Sequence, residues 1–228
     1  MSAKSLAMVA VWAVWAVNLT AQTNEANVVE EVAIYSTARA AGVELRVWGM
    51  RLQERDGFIY LNEDWKPRPN PRLTVGLRDQ TDALVTLTPG WLDFGYLRFA
   101  INGLADPYGE VGSPGTLGAK LFRSGENQDP GQIQYGDVTR IANRCYDGGR
   151  GVDATIETWQ TVLIPLRQLG ANVGDQIAGL AIFCQYPGKP ERAFALGPIS
   201  LVRFSGVRPK ETEAVVHNVA QPWVTWPT

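Results

Sequence analysis

The 228-residue chain contains a single histidine, His217, and only two cysteines. One histidine and two distant cysteines cannot complete the four-ligand shell of a structural zinc ion, so no metal site is predicted. A serine or cysteine nucleophile needs a neighbouring base, and the sequence has no G-x-S-x-G motif. The sequence therefore carries no recognised catalytic signature. Enzymatic activity stays uncertain at this stage, and a non-catalytic role is favoured.

Long runs of one charge are also missing. Lysine and arginine together number 21 against 23 aspartate and glutamate residues, which gives a formal net charge of −2. Proteins that bind nucleic acid normally show a basic patch or stripe, because most of their affinity comes from neutralised phosphates. A nucleic-acid partner is therefore not predicted.

No apolar run reaches the roughly 20 residues that a membrane-spanning helix needs. The apolar stretch at residues 6–17 follows Lys4 and precedes the small and polar residues 18–21. This layout is typical of a secretory signal peptide, so residues 1–21 are predicted to be removed after Ala21. An uncleaved anchor is the alternative, because Leu19 is not the small residue preferred before the cut. The mature protein is predicted to be secreted, periplasmic or on the cell surface, without a membrane partner.

Export changes how the two cysteines are interpreted. In an oxidising compartment an even count suggests a disulfide, here Cys145–Cys184. It would close a loop of about 40 residues and would stabilise the fold by roughly 4 kcal/mol in the chain-entropy model. Two separate buried thiols remain the alternative, because Cys184 ends an apolar run and buried free cysteine is common.

Short runs of β-branched and aromatic residues recur between turns of glycine, proline, asparagine and aspartate. These runs lie at residues 32–35, 43–48, 58–61, 73–77, 83–87, 96–102, 158–166, 177–184 and 194–202. The run at 96–102 alternates most clearly and predicts a half-buried antiparallel strand. No convincing amphipathic helix follows the leader. The pattern predicts an all-β antiparallel sandwich over residues 32–204, after a lead-in at 22–31 and before a tail at 205–228.

The wording of residues 158–202 is the most distinctive. Trp159 precedes a strand that ends Ile164-Pro165-Leu166, and an Ile-Ala-Gly-Leu strand beginning at Ile177 and a closing strand follow. This pattern resembles the galactose-binding-like jelly-roll of many non-catalytic carbohydrate-binding modules. The resemblance implies a jelly-roll sandwich, a glycan ligand and a packing role for Trp159.

Such modules often hold a structural calcium ion, for which an acidic residue stands just before the final strand. Here Gly197-Pro198 occupies that place, so the resemblance does not support calcium. No cofactor is assigned, although other carboxylates could serve Ca²⁺. Trp48 and Trp91, each beside a strand end, are assigned packing roles because an indole buries a large area.

A sugar has apolar C–H faces and polar edges, so its site combines exposed rings with hydrogen-bonding groups. Two places on a sandwich could provide this combination. The loop candidates are Trp65, Tyr108, Tyr146, Asp147 and Arg150. The candidates on a solvent-facing side of a sheet are Arg98, Asn102, Lys120 and Phe183. Each large aromatic among them also has a packing interpretation.

The favoured function is secreted, non-catalytic binding of a polysaccharide or glycan through exposed aromatics. A structural or adhesive surface protein that uses the sandwich for assembly is one alternative. A divergent glycoside hydrolase is another, and it would require two carboxylates flanking the sugar bond, for which Asp153 and Glu157 are available. The sequence gives no indication of the oligomeric state.

Overall fold

The computed structural model describes residues 28–63, 72–102, 116–133, 139–141, 159–185, 194–206 and 215–217. The strands are β1 (Val28–Tyr35), β2 (Val43–Trp48), β3 (Met50–Arg55), β4 (Phe58–Glu63), β5 (Arg72–Leu77), β6 (Val85–Thr86), β7 (Gly95–Asn102), β8 (Thr116–Arg123), β9 (Thr139–Ile141), β10 (Gln160–Pro165), β11 (Gln176–Gln185), β12 (Phe194–Phe204) and β13 (Val215–His217). One short α-helix, α1 (Pro89–Phe94), and the 3₁₀ turns Pro130–Gln132 and Leu166–Leu169 connect them.

The strands form two sheets. Sheet A has the order β13-β10-β7-β12-β4-β3, and β1 pairs with the C-terminal half of β12. Sheet B has the order β2-β5-β11-β8-β9, and β6 pairs with the start of β11. The pairings within both sheets are antiparallel. The predicted antiparallel β-sandwich is therefore confirmed.

The core lies between the sheets and follows from the two-residue alternation of the strands. In sheet A, Leu97 and Phe99 of β7 are fully buried. In sheet B, Leu73 and Val75 of β5 belong to the same buried cluster. Removing a side chain such as that of Phe99 would cost about 3–5 kcal/mol, because a cavity would replace close packing.

The prediction that β7 is half-buried was wrong. All eight residues of β7 are buried, and Arg98 and Asn102 retain only 5% and 8% of their exposure. The alternation itself is correct, because Leu97 and Phe99 point into the core and Arg98 points away from it. The strand lies in the middle of sheet A, between β10 and β12, where burial extends to both faces.

Other differences come from local chemistry and from long-range pairing. Strand β1 begins at Val28, inside the predicted lead-in, because Val28 and its successors pair with β12. Pro89-Gly90 starts a helix instead of making a turn, and the Thr88 Oγ1 caps it by accepting from the Trp91 N–H at 3.4 Å. Trp91 is buried in the core, as predicted.

The ends of the chain were predicted only in part. The proposed signal peptide, residues 1–21, lies outside the described residues. Within the predicted tail, β13 pairs with β10, and His217 stands opposite Thr161. Over the ranges that the structure describes, no helix combines the length and apolar character needed to cross a bilayer.

Candidate functional site

The loop candidates from the sequence all lie outside the described residues. These are Trp65, Tyr108, Tyr146, Asp147 and Arg150, and Asp153, Glu157 and Cys145 lie outside them as well. For Phe183 and Cys184 the structure describes only the backbone, within β11. The loop site and the disulfide therefore stay predictions.

The sheet-face candidates separate into two groups. Arg98 and Asn102 lie on β7 of sheet A, whereas Lys120 and Phe183 lie on β8 and β11 of sheet B. All four positions face away from the core, but the outer faces of two stacked sheets point in opposite directions. The four residues therefore cannot form one site, and each outer face has to be considered separately.

On the outer face of sheet A, Arg98 serves the fold. Its Nη2 donates to Glu31 Oε1 at 2.6 Å, and its Nε donates to Ser200 Oγ at 3.3 Å. Burial lowers the pKa of Arg98, and the charge of Glu31 opposes that shift. The interaction ties β1 to β7 across β12, which lies between them.

Aromatic rings on sheet A are largely engaged with their neighbours. Trp159 stacks on Phe58, with ring centroids 4.5 Å apart and an interplanar angle of 28°. Tyr96 meets Phe204 edge to face at 5.4 Å, and the guanidinium of Arg55 lies 4.7 Å from the Tyr60 ring. These contacts give Trp159 the packing role that the resemblance implied.

The outer face of sheet B is arranged in cross-strand rows. Row one consists of Trp48, Arg72, Phe183, Gly118 and Arg140, which lie opposite one another on β2, β5, β11, β8 and β9. Adjacent strands are about 4.8 Å apart, so row one extends roughly 19 Å across the sheet. Two aromatic residues and two arginines therefore share one line across the whole face.

The next two rows lie beside row one. Row two consists of Arg46, Thr74, Ala181 and Lys120, and row three consists of Glu44, Gly76, Gly179 and Phe122. Trp48, Arg46, Arg72 and Lys120 are half-buried, so part of each reaches the surface. The Lys120 Nζ lies 5.2 Å from the Phe122 ring centroid.

A segment of residues 124–133, here called the strap, lies against this face. Arg72 Nη1 donates to the Pro130 carbonyl at 2.9 Å. Gly131 packs on the Trp48 indole, because a Cβ there would stand 3.1 Å from Cε3 and Cζ3. Within the strap, Asp129 Oδ1 accepts from the Gly131 N–H at 2.8 Å. The strap therefore forms a wall beside row one.

Gln128 of the strap is fully buried over row three. A Cβ at Gly76 would lie 2.2 Å from Gln128 Oε1, and one at Gly179 would lie 3.0 Å from it. Only glycine at these two positions leaves room for the amide. The sequence showed the glycines but not the side chain that fills the space.

Several polar atoms around this arrangement are buried without a hydrogen-bond partner. They are Arg46 Nη1, Thr74 Oγ1 and both amide atoms of Gln128. Sheet A also has two such atoms, Asn102 Oδ1 and Thr161 Oγ1. A buried polar group without a partner costs about 1–3 kcal/mol, so such atoms favour bound water or ligand hydroxyls.

Glu44 orients one of these groups. Its carboxylate accepts from Arg78 and, at 2.6 Å, from Arg46 Nη2. The hydrogen bonds from Arg78 and then Arg46 lower the pKa of Glu44, so it stays ionised near neutral pH. Among the side chains that the structure describes, no three His, Cys, Asp or Glu residues gather as metal ligands would.

Comparison with known proteins gives structural similarity alone. No protein-family model matches this chain, and no curated protein matches it. The similar solved structures include a variant of a family 29 carbohydrate-binding module complexed with mannohexaose, 11% identical, with a TM-score of 0.41 over 76% of this chain and 91% of that one. A second variant, complexed with cellulohexaose, is 12% identical, with a TM-score of 0.40 over 76% and 90%. A third is 13% identical, with a TM-score of 0.41 over 79% and 98%.

Proposed function

We propose that this chain is a non-catalytic carbohydrate-binding module whose ligand lies on the outer face of sheet B. The observation that supports this proposal is row one, in which Trp48, Arg72 and Phe183 alternate ring, guanidinium and ring on three adjacent strands. The row is long enough for several sugar units. The strap gives it a wall on one side.

The residue types suit a sugar. The apolar C–H face of a pyranose packs on an aromatic ring, and its hydroxyl groups accept hydrogen bonds from guanidinium and ammonium donors. Row two adds Arg46 and Lys120 within one residue pair of row one. Arg46 Nη1 and Thr74 Oγ1 are buried without hydrogen-bond partners, and a ligand hydroxyl beside them would satisfy both.

Sheet A fits this role less well. Arg98 and Asn102, predicted as ligand-binding residues, are buried, and Arg98 bonds to Glu31 and Ser200. Trp159 stacks on Phe58. In this proposal Trp48 and Arg72 replace Arg98 and Asn102, and Phe183 is retained from the sequence prediction.

The experiment is affinity electrophoresis of the full chain through a panel of glucans, xylans, mannans and pectins, followed by calorimetry with those that retard it. The expected result is retention by at least one polysaccharide, with no release of reducing ends. Trp48→Ala should weaken binding at least tenfold, since stacking on one aromatic ring contributes about 1–3 kcal/mol in the comparable case of a base.

Tyr60→Ala is the matched control, because Tyr60 is a half-buried aromatic on the outer face of sheet A. It should leave binding unchanged. Equal losses for the two variants, or no retention by any polysaccharide, would contradict the proposal.

We further propose that the module is exported and that residues 1–21 are removed. Supporting observations are Lys4 and the apolar stretch at 6–17. The mass of the protein recovered outside the cytoplasm should lack residues 1–21, and thiol titration without reductant should find no free cysteine. Recovery of the full-length chain in the membrane fraction would favour the uncleaved anchor.

A further inference from the structure

Rows one and two of sheet B are basic. Their charged positions are Arg46, Arg72, Lys120 and Arg140. Neither aspartate nor glutamate occupies a strand position in these two rows. The carboxylate on the neighbouring row, Glu44, accepts from Arg46 and Arg78. The face thus carries an excess of positive charge next to its aromatic residues.

The strap does not reverse this excess. Glu126 lies 3.4 Å from Arg123, and Asp129 Oδ1 accepts from the Gly131 N–H inside the strap. Each of these carboxylates thus has a contact outside rows one and two. The two basic groups of row two, Arg46 and Lys120, stand at the two ends of that row, on β2 and β8.

Sheet A shows a different arrangement of charge. Arg98 lies 2.6 Å from Glu31, and Arg203 lies 2.9 Å from Glu30. Both arginines therefore face a carboxylate of β1. On sheet B, Arg46 contacts Glu44 through Nη2, while its Nη1 is buried without a hydrogen-bond partner. One end of this guanidinium still has donors to offer.

We propose that the glycan bound on sheet B is anionic, a polysaccharide whose carboxylate or sulfate groups lie along rows one and two. This inference rests on the proposed function and narrows it to a ligand class. The planar guanidinium matches the two oxygens of a carboxylate or sulfate, and the ammonium of Lys120 adds a point charge. Trp48 holds the sugar ring, and the basic residues select its charged substituent.

The test uses two matched pairs of polysaccharides with the full chain. Polygalacturonate is compared with its carboxyl-reduced form, and dextran sulfate is compared with dextran, by affinity electrophoresis and calorimetry. One anionic member should bind at least roughly tenfold more tightly than its neutral counterpart, as a charge-assisted pair predicts. The two pairs separate carboxylate from sulfate. Binding should weaken as salt is raised from about 0.05 to about 0.2 M, because screening shortens the range of exposed charges.

Variants locate the effect. Lys120→Gln should weaken binding of the anionic polysaccharide roughly two- to fivefold, the range for a partly exposed ion pair. It should leave binding of a neutral polysaccharide unchanged. Lys120→Arg should keep the affinity. Arg203→Gln, which removes one positive charge from sheet A, should have no effect and controls for net charge.

The outcomes distinguish this inference from the function it rests on. Equal affinity for a charged polysaccharide and its neutral counterpart would overturn the anionic ligand and leave the carbohydrate-binding module intact. Failure to bind any polysaccharide would overturn both. Equally tight binding to a DNA duplex would show attraction to charge without sugar recognition, and it would also overturn the inference.

Discussion

The two outer faces of the sandwich differ in how they use charged and aromatic residues. On sheet A, Arg98 is buried against Glu31 and Trp159 stacks on Phe58, so these groups serve the fold. On sheet B, Trp48 and Arg72 are half-buried, and polar atoms around them lack hydrogen-bond partners. The same residue types that look like a ligand site on one face act as packing and pairing groups on the other.

The largest expected effect concerns the close fit of the strap on sheet B. Gly76→Ala should destabilise the fold by about 2–3 kcal/mol, because the new Cβ would overlap Gln128 Oε1 and strain a packed interior. Denaturant unfolding of purified variants measures this change. Adding Gln128→Ala to Gly76→Ala should recover much of the loss, because the overlapping amide is removed.

Gly90→Ala is the control for that substitution. A Cβ at Gly90 would meet no neighbour nearer than 3.8 Å, the nearest atoms belonging to Arg203 and Thr88. Because Gly90 lies in α1, alanine there should be neutral or slightly stabilising. A loss at Gly90 as large as that at Gly76 would show that the strap does not fit the sheet as described.

The second prediction compares one carboxylate on each face. Glu31→Gln should destabilise by about 2 kcal/mol, less than for a fully buried pair, because Glu31 is partly exposed while its partner Arg98 is buried. Glu44→Gln should cost less, since its arginine partners are more exposed. Urea unfolding midpoints of the two variants measure the difference. Equal losses would mean that sheet A does not hold its charge more tightly.

The smallest effect is in acid. The folded pKa of Glu44 lies below its usual value of 4.5 because Arg78 and Arg46 donate to it. Its contribution to stability is therefore complete above about pH 4.5 and is lost as the pH falls through the lowered pKa. The difference in unfolding midpoint between the natural chain and Glu44→Gln should shrink towards zero in acid. A difference that grew in acid would contradict this pairing.

The sequence predicted the layers of the fold more successfully than the site. Alternation in β7 and the apolar runs of β11 and β12 were enough to indicate an antiparallel sandwich, because strand periodicity is local. The edge strand β3, Met50–Arg55, was missed because its residues are mainly polar. Strand β1 was started too late because its first residues gain their structure from β12.

The site depended on pairings that no local pattern encodes. Arg98 has the spacing of a surface residue, yet its partner Glu31 lies 67 residues away. Trp48, Arg72 and Phe183 become neighbours only when β5 inserts between β2 and β11. The burial of Gln128 likewise depends on two glycines in different strands. The composition indicated which residues could bind a sugar, but not which face would collect them.

Hydrogen exchange of backbone amides, measured with and without a soluble polysaccharide that retards the chain, tests most directly whether the ligand lies on sheet B. Binding should slow exchange in β2, β5, β8 and the strap, and leave β7, β10 and the C-terminal half of β12 unchanged. Slowed exchange confined to sheet A, with none in sheet B, would contradict the proposed location.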